Sequence, residues 1–304
     1  MISTKKLFGQ FPLNPPFIIG ERLNTQGSRQ FRQIMLDEQY DQILPIALRQ
    51  IEQGARGLDI CTAMTEKPDE QQNMLRVIQA ISGKVNTVLC IDTTQPDVME
   101  AALRTAVEPC ILNSTHLEHG RAKADRVFQM AKDHSAAVII LTIDEQGMAH
   151  TARRKLEVAH QIYEIAVHDH GLQPEDLIFD TLTFTLATGD PQYENSALET
   201  LAAIGQIKKE LPGVLTSLGV SNVSYGFSPE ARIVLNNIML EQALINGLDL
   251  CIFNPAHLVD FSSIPLDQRK LAEDLIYNRS SNALRDMAAY FRKMRKNKPA
   301  VQAS

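Results

Sequence analysis

The sequence predicts an α/β fold in which a single domain, residues 17–292, forms a (β/α)8 barrel of the TIM type. Eight short apolar runs alternate with longer amphipathic segments along the chain, a pattern typical of a parallel sheet covered by helices. Eight such units in roughly 250 residues match the size of a closed barrel. No G-x-G-x-x-G string follows the first run, which disfavours an open doubly wound sheet.

The predicted strands are short and apolar, and the segments between them have helical periodicity. Strands are expected at Phe17–Gly20, Gly57–Ile60, Val88–Asp92, Cys110–Asn113, Ala137–Ile143, Leu177–Asp180, Val214–Gly219 and Leu248–Phe253. Helices are expected at Tyr40–Gln53, Glu70–Ile81, Gln95–Ala106, Gly120–His134, Ala152–His170, Ser196–Glu210, Arg232–Asn246 and from Gln268 to about Arg292. No linker divides the chain, so we predict one domain with an N-terminal arm, residues 1–16, and a flexible basic tail, residues 293–304.

The composition argues against several classes of protein. The 304-residue chain is 44% hydrophobic with a net charge of −6, and its only basic run is Arg292, Lys293, Arg295, Lys296 and Lys298. We interpret that run as a solvated helix end and expect no nucleic-acid binding. We also expect no membrane span and no signal peptide, because no apolar stretch is long enough. The four cysteines form no C-x-x-C pair, so we expect buried thiols in a cytoplasmic protein.

The residues at the ends of the predicted strands are consistently polar. Active sites of such barrels lie at the C-terminal ends of the strands, so these residues are candidates for a site. They are Glu21, Asn24, Asp59, Asp92, Asn113, Asp144, Asp180, Gly219, Ser221 and Asn222. Any one of them alone could cap a helix, and Asp92 fits that interpretation because a helix is predicted to begin beside it. So many carboxylates and amides converging on one barrel mouth make capping a weak explanation of the set.

The chemistry of the set favours one kind of ligand. The strand ends supply carboxylates and carboxamides but no histidine. An amino-pyrimidinone edge presents adjacent N–H donors that a carboxylate accepts in bidentate fashion, so the set suits a flat, nitrogen-rich heterocycle. A ring of carboxylates also suits a divalent metal, but the lack of histidine argues against zinc. We expect no metal on this chain.

The motifs at the strand ends resemble those of the pterin-binding methyltransferases, a family that includes the folate domain of cobalamin-dependent methionine synthase. The resemblance extends from about Phe17 to Asn278. The weaker matches are Gly20-Glu21-Arg22-Leu23-Asn24-Thr25, Asp59-Ile60, Ile91-Asp92, Asn113-Ser114, Asp144-Glu145-Gln146-Gly147, Ile178-Phe179-Asp180 and Ala187-Thr188-Gly189. The most specific match is Gly219-Val220-Ser221-Asn222-Val223-Ser224, with Arg232 following.

The resemblance implies a role for each of these residues. Asp92, Asn113 and Asp180 match the positions that grip the pterin ring, and Asn222 matches the amide that approaches the methyl-bearing nitrogen. Other substrate-binding or supporting positions are implied at Glu21, Asn24, Asp59, Asp144, Gly219, Ser221 and Arg232. The chain departs from the family at Cys61, where an asparagine is common.

The resemblance also implies the activity, which is transfer of a methyl group between 5-methyltetrahydrofolate and the cobalt of a corrinoid (cobalamin), with tetrahydrofolate as the demethylated form. It implies a homodimer as well. The chain has no D-x-H-x-x-G string for a corrinoid, so we expect a corrinoid-binding partner protein. A neutral Asn222 suits hydrogen bonding to the leaving nitrogen better than protonating it.

Two alternatives to this activity stay open at this point. One is an enzyme like dihydropteroate synthase, although Ser221-Asn222-Val223 stands where that enzyme would show Ser-Arg-Lys. The other is a non-catalytic folate-binding subunit. The pairing of Asn222 with Ser221 favours catalysis over storage.

Overall fold

Parallel strands close into a barrel in the computed structural model, which describes residues 16–297. The strands are β1 (Phe17–Asn24), β2 (Gly57–Cys61), β3 (Val88–Asp92), β4 (Cys110–Thr115), β5 (Ala137–Leu141), β6 (Ile143–Asp144), β7 (Gly147–Met148), β8 (Leu177–Asp180), β9 (Leu215–Gly219) and β10 (Leu250–Phe253). The barrel order is β1-β10-β9-β8-β5-β4-β3-β2, and β1 pairs with both β10 and β2 to close the ring. The short strands β6 and β7 form a separate antiparallel hairpin. The predicted (β/α)8 barrel is confirmed.

Helices follow the strands and cover the outside of the barrel. They are α1 (Arg29–Leu36), α2 (Ile43–Glu52), α3 (Glu70–Ile81), α4 (Pro96–Thr105), α5 (Ala122–His134), α6 (Ala152–Glu164), α7 (Ser196–Glu210), α8 (Pro229–Ile245), α9 (Leu266–Ile276) and α10 (Ala283–Asn297). The sequence patterns do not predict α1, and they merge α9 and α10, which are separated by a turn where Asn278 has a φ of 47°. None of the helices in the described part of the chain is both long and apolar enough to cross a membrane.

The ends of the predicted domain differ from the structure at one boundary. Helix α10 continues to Asn297, so residues 293–297, expected in a flexible tail, are helical. The predicted arm, apart from Pro16, and residues 298–304 of the predicted tail lie outside the described residues.

The interior of the barrel is apolar at its floor and polar at its mouth. Alternate residues of a strand point to the same side, so Phe17, Ile19 and Glu21 of β1 share a face. The floor consists of buried apolar side chains that include Val88, Cys90, Ile111, Ile139, Ile178, Leu215 and Leu250. Polar residues at or near the C-terminal ends of β2, β3, β4 and β8 are Asp59, Asp92, Asn113 and Asp180. All four cysteines are buried free thiols, as the sequence predicts.

Candidate active site

Four of the predicted residues form one hydrogen-bonded group at the ends of β1 to β4. The Asn24 amide donates to both carboxylates of this group, with Nδ2 lying 2.8 Å from Asp59 Oδ2 and 3.2 Å from Asp92 Oδ2. The Asn113 amide donates to the other oxygen of Asp59 at 3.5 Å. Asp92 does not cap the helix that follows, because the cap of α4 is Gln95, which makes no side-chain capping bond. The group is therefore one wall of the barrel mouth and not a set of helix caps.

The two carboxylates of this group hold protons more strongly than ordinary aspartates. Burial is the main cause of the raised pKa of Asp59 and of Asp92, and the charge of Asp59 raises the pKa of Asp92 further. Hydrogen bonds from Asn24 to both groups, and from the Cys61 thiol to Asp92, lower these pKa values in part. Cys61, the departure from the family pattern, therefore serves as a donor to Asp92. A ligand that brings N–H donors would favour the ionised carboxylates further.

Asp180 provides a second carboxylate at the end of β8. Burial raises the pKa of Asp180 to about 6, although the N–H groups of Leu182 and Gly219 and the Ser217 hydroxyl act to lower it. The Leu182 N–H donates to Asp180 Oδ1 at 2.7 Å. Leu182 has a φ of 53°, a conformation that a bulky L-residue rarely adopts. The turn after β8 is therefore built around this carboxylate.

Lys155 on α6 also holds the turn after β8, and it is not among the residues that the strand-end pattern predicts. Its side chain is only 1% exposed, and its Nζ donates to the carbonyl of Thr181 and, at 3.2 Å, to that of Leu182. Burial lowers the pKa of Lys155 to about 8, while the charges of Asp180 and Glu199 raise it. A signal for it does exist in the sequence. Lys155 belongs to the buried stripe of α6, in which Ala152, Val158, Ala159 and Ile162 also lie at helical spacing.

A chain of hydrogen bonds joins β1 to the loop after β9. The Ser221 hydroxyl lies 3.1 Å from each carboxylate oxygen of Glu21, to which it donates. The Ser224 hydroxyl donates to the Ser221 carbonyl at 3.3 Å and accepts from Arg232 Nε at 3.2 Å. Burial raises the pKa of Glu21, which the Ser221 hydrogen bond partly offsets. Glu21, Ser221 and Arg232 therefore fix the turn that carries Asn222.

Asn222 is exposed on the 3-10 turn Val220–Ser224, directly after β9. Among residues 16–297, its side-chain amide has no hydrogen-bond partner, in contrast to Asn24 and Asn113. A Cβ on Gly219 would lie 3.0 Å from Asn222 Nδ2, so the glycine leaves the space that the amide occupies. Helix α8 has its own cap, since Ser228 accepts from the Ala231 N–H. The amide is thus free to meet a ligand.

Asp144 forms its hydrogen bonds with residues outside the predicted site. One of its oxygens pairs with Arg154 of α6, and the other accepts from the Gln146 N–H at 3.1 Å. Barrel strand β5 ends at Leu141, so the prediction of a strand through Ile143 was wrong. Asp144 therefore anchors the β6–β7 hairpin to α6.

The donors and acceptors at the barrel mouth determine what kind of ligand it can bind. The described part of the chain has no group of three or more His, Cys, Asp or Glu side chains arranged to hold a metal ion. Asp180 is a buried acceptor and Asp92 a half-buried one on a separate strand, and the amides of Asn113 and Asn222 add donors. This arrangement can bind a flat organic ring that carries N–H groups along one edge.

Comparison with known proteins agrees with this chemistry. The family described as "Pterin binding enzyme" matches residues 20–254. The chain is 36% identical over 269 residues to methionine synthase of Mycobacterium leprae, and 36% identical over 265 residues to that of Mycobacterium tuberculosis. Each match covers 86% of this chain but only 22% of the length of the relative.

Solved structures of dihydropteroate synthases share the fold at low identity. The Xanthomonas albilineans enzyme with 4-aminobenzoic acid has a TM-score of 0.58 and 16% identity, covering 95% of this chain and 96% of that chain. The Yersinia pestis enzyme has a TM-score of 0.56 and 15% identity, covering 86% and 93%. The family match begins within β1, ends just after β10 and includes every predicted site residue. The chain therefore belongs to the pterin-binding enzyme family.

Proposed function

We propose that this pterin-binding enzyme moves a methyl group between 5-methyltetrahydrofolate and the cobalt of a corrinoid, such as cobalamin, on a separate protein. The observation that carries the proposal is the Asn222 amide. It has no hydrogen-bond partner among residues 16–297, and it stands on a turn that the Ser221–Glu21 hydrogen bond holds in place. The 36% identity to methionine synthases supports it. The proposal places the corrinoid on a partner protein.

In this proposal the pterin ring lies across the barrel mouth with its N–H edge on Asp92, Asn113 and Asp180. Asp180 is buried and Asp92 is half-buried. Charge-assisted hydrogen bonds from the pterin N–H groups would stabilise the two carboxylates in their ionised form. The other predicted residues act by holding these groups or the Asn222 turn in place, and they are Glu21, Asn24, Asp59, Gly219, Ser221 and Arg232. Asp144 is left out of this set because Arg154 occupies it.

The reaction needs a better leaving group than a tertiary amine. In the proposed step, a bond from the cobalt(I) of the partner to the methyl carbon forms as the C–N bond breaks. The electron pair of the C–N bond stays on N5 of the folate, which ends protonated. General acid assistance to such a step is worth about a hundred- to ten-thousandfold. Asn222 is neutral and cannot supply the proton, but its hydrogen bond to N5 can strengthen as the charge on that atom changes. The proton then comes from solvent through a water molecule.

The test is single-turnover methyl transfer to chemically reduced cob(I)alamin, followed by the change in cobalt absorbance. The assay is run after exhaustive chelation of the enzyme, because the proposal includes no metal on this chain. Transfer from 5-methyltetrahydrofolate above the uncatalysed rate supports the proposal. Folate binding without transfer would favour a non-catalytic subunit, and activity that returns only with a divalent ion would contradict the metal-free mechanism.

A dihydropteroate synthase activity has less support from the site. The turn after β9 presents Ser221 and Asn222, and no lysine follows them in that turn. Condensation of a dihydropterin pyrophosphate with 4-aminobenzoate, measured on the same preparation, would favour that activity instead.

The proposal includes two kinds of protein contact. One partner is the corrinoid-binding protein, and the other is a second copy of this chain, as the family resemblance implies for a cytoplasmic homodimer. Light scattering on the purified chain measures its molar mass and so tests whether two copies associate.

Replacing Asp180 by alanine should weaken binding of 5-methyltetrahydrofolate by about 1–3 kcal/mol, the scale for losing a charged hydrogen-bond partner. Titration calorimetry measures the change. Asp144→Ala is a matched control, because it also removes a buried carboxylate but one whose partner is Arg154. Asp144→Ala should lower stability and leave folate affinity unchanged. Wild-type affinity in Asp180→Ala would remove this residue from the pterin site.

A further inference from the structure

We propose that the cavity between the β9–α8 loop and α10 binds the carboxylates of the glutamate tail of a folate, preferably one with several γ-linked glutamates. The inference rests on the proposed function and extends it to a second part of the substrate. It gives a role to the basic residues at the end of the chain, which the sequence patterns alone assign to solvent.

The cavity has a volume of about 480 Å³, and its walls combine aromatic and cationic side chains. Phe227 and Ser228 come from the β9–α8 loop, and Phe291, Arg292 and Arg295 come from α10. A glutamate chain has methylene groups and carboxylates in alternation. Aromatic walls can pack against the methylene groups, and guanidinium groups bind carboxylates in bidentate fashion.

The two arginines have no charge partner in the protein as described. Arg269 pairs with Glu241, and Arg279 pairs with Glu273. By contrast, neither Arg292 nor Arg295 forms an ion pair with any residue in the range 16–297. They are three residues apart on α10 and therefore face the same way. In a chain of net charge −6, this pair is a local positive site beside a cavity.

The cavity lies on the side of the barrel where a folate tail would leave the pterin site. In a βα unit the helix begins near the end of its strand, so the first turn of α8 is at the barrel mouth. Ala231 of that turn lines the cavity, as does Gly226, four residues after Asn222. In folate the carbon next to N5 carries the arm to the aminobenzoyl-glutamate. If Asn222 faces N5, the arm leaves the ring on the side of this loop.

The test compares 5-methyltetrahydrofolate carrying one glutamate with the same compound carrying five, by titration calorimetry on the full chain. Wild-type protein should bind the longer compound about three- to thirtyfold more tightly, as expected for two exposed charge-assisted contacts. The advantage should shrink as salt is added. Arg292→Glu combined with Arg295→Glu should remove this advantage, so that the two compounds bind with about equal affinity.

Lys293→Glu is the matched control for Arg292→Glu, because the two positions adjoin on α10 and the change in charge is the same. Of these two residues, Arg292 lines the cavity and Lys293 does not, so Lys293→Glu should keep most of the preference for five glutamates. Equal wild-type affinity for the two compounds, or an unchanged preference in the double variant, would overturn the inference. Failure of both compounds to bind wild-type protein would instead contradict the proposed function.

Discussion

Asn222→Ala should lower the rate of methyl transfer by about ten- to a thousandfold, the scale seen when one transition-state hydrogen bond is lost. The melting temperature should barely move, because the Asn222 amide is exposed and has no hydrogen-bond partner among the described residues. The measurement is single-turnover transfer to cob(I)alamin, with folate affinity determined on the same preparation. Separating rate from affinity shows whether the amide acts on the reacting nitrogen or only on substrate binding.

Ser228→Ala, in the same loop, should have the opposite effect to Asn222→Ala: it should lower stability and not the transfer rate. Ser228 caps α8, so its loss should destabilise the protein by about 1 kcal/mol and leave the transfer rate intact. Asn222→Asp keeps the shape of the side chain but loses the N–H donors, so partial activity with a shifted pH profile is expected. A wild-type transfer rate in Asn222→Ala would exclude this residue from the mechanism.

Lys155→Met should have the second large effect, on stability and on folate binding together. The Thr181 carbonyl would lose its donor, which lowers the free energy of unfolding by about 1–3 kcal/mol. Asp180 would also lose the positive charge that lowers its pKa, so that pKa should rise above about 6. The proposed pterin contact needs the ionised carboxylate. Folate affinity should therefore fall as pH decreases through the pKa of Asp180, by up to about tenfold per pH unit, and the variant should show this fall at higher pH.

Thr200→Val separates positioning of the turn from the effect of the charge. The Thr200 hydroxyl also donates to the Leu182 carbonyl, at 2.6 Å, so its loss loosens the same turn without removing a charge. This variant should lose stability but keep the wild-type pH profile of folate binding. If Lys155→Met has that same unshifted profile, the lysine supports the fold alone and does not act on Asp180.

The sequence predicts the carboxylate cluster well because strand periodicity is a strong constraint. Each of four polar residues lies at or next to the end of an apolar run: Asp59, Asp92, Asn113 and Asp180. In a closed parallel barrel the ends of such runs must meet at one mouth. The structure brings the first three into hydrogen-bonding contact through Asn24 and Asp59. Their contact with a folate stays a prediction.

Other features depend on contacts that no local pattern contains. Lysine is common on the exposed face of a helix, so the sequence alone does not show that Lys155 is buried. Its burial depends on tertiary contacts with the barrel. Asp144 follows an apolar run, yet the chain leaves the barrel at Leu141 and the carboxylate meets Arg154 ten residues later. The break between α9 and α10 was missed because apolar residues continue on both sides of the polar run at Asn278.

The shared amide of Asn24 has a thermodynamic consequence for substrate uptake. It holds Asp59 and Asp92 side by side, and their raised pKa values favour retention of a proton by the empty pair. Pterin N–H donors favour the ionised form, so binding should expel that proton into the buffer. The apparent enthalpy of binding should then differ between phosphate and Tris, whose ionisation enthalpies differ widely, and Asp92→Asn should reduce the difference. Equal enthalpies in the two buffers for wild-type protein would mean that the pair is already fully ionised before the folate arrives.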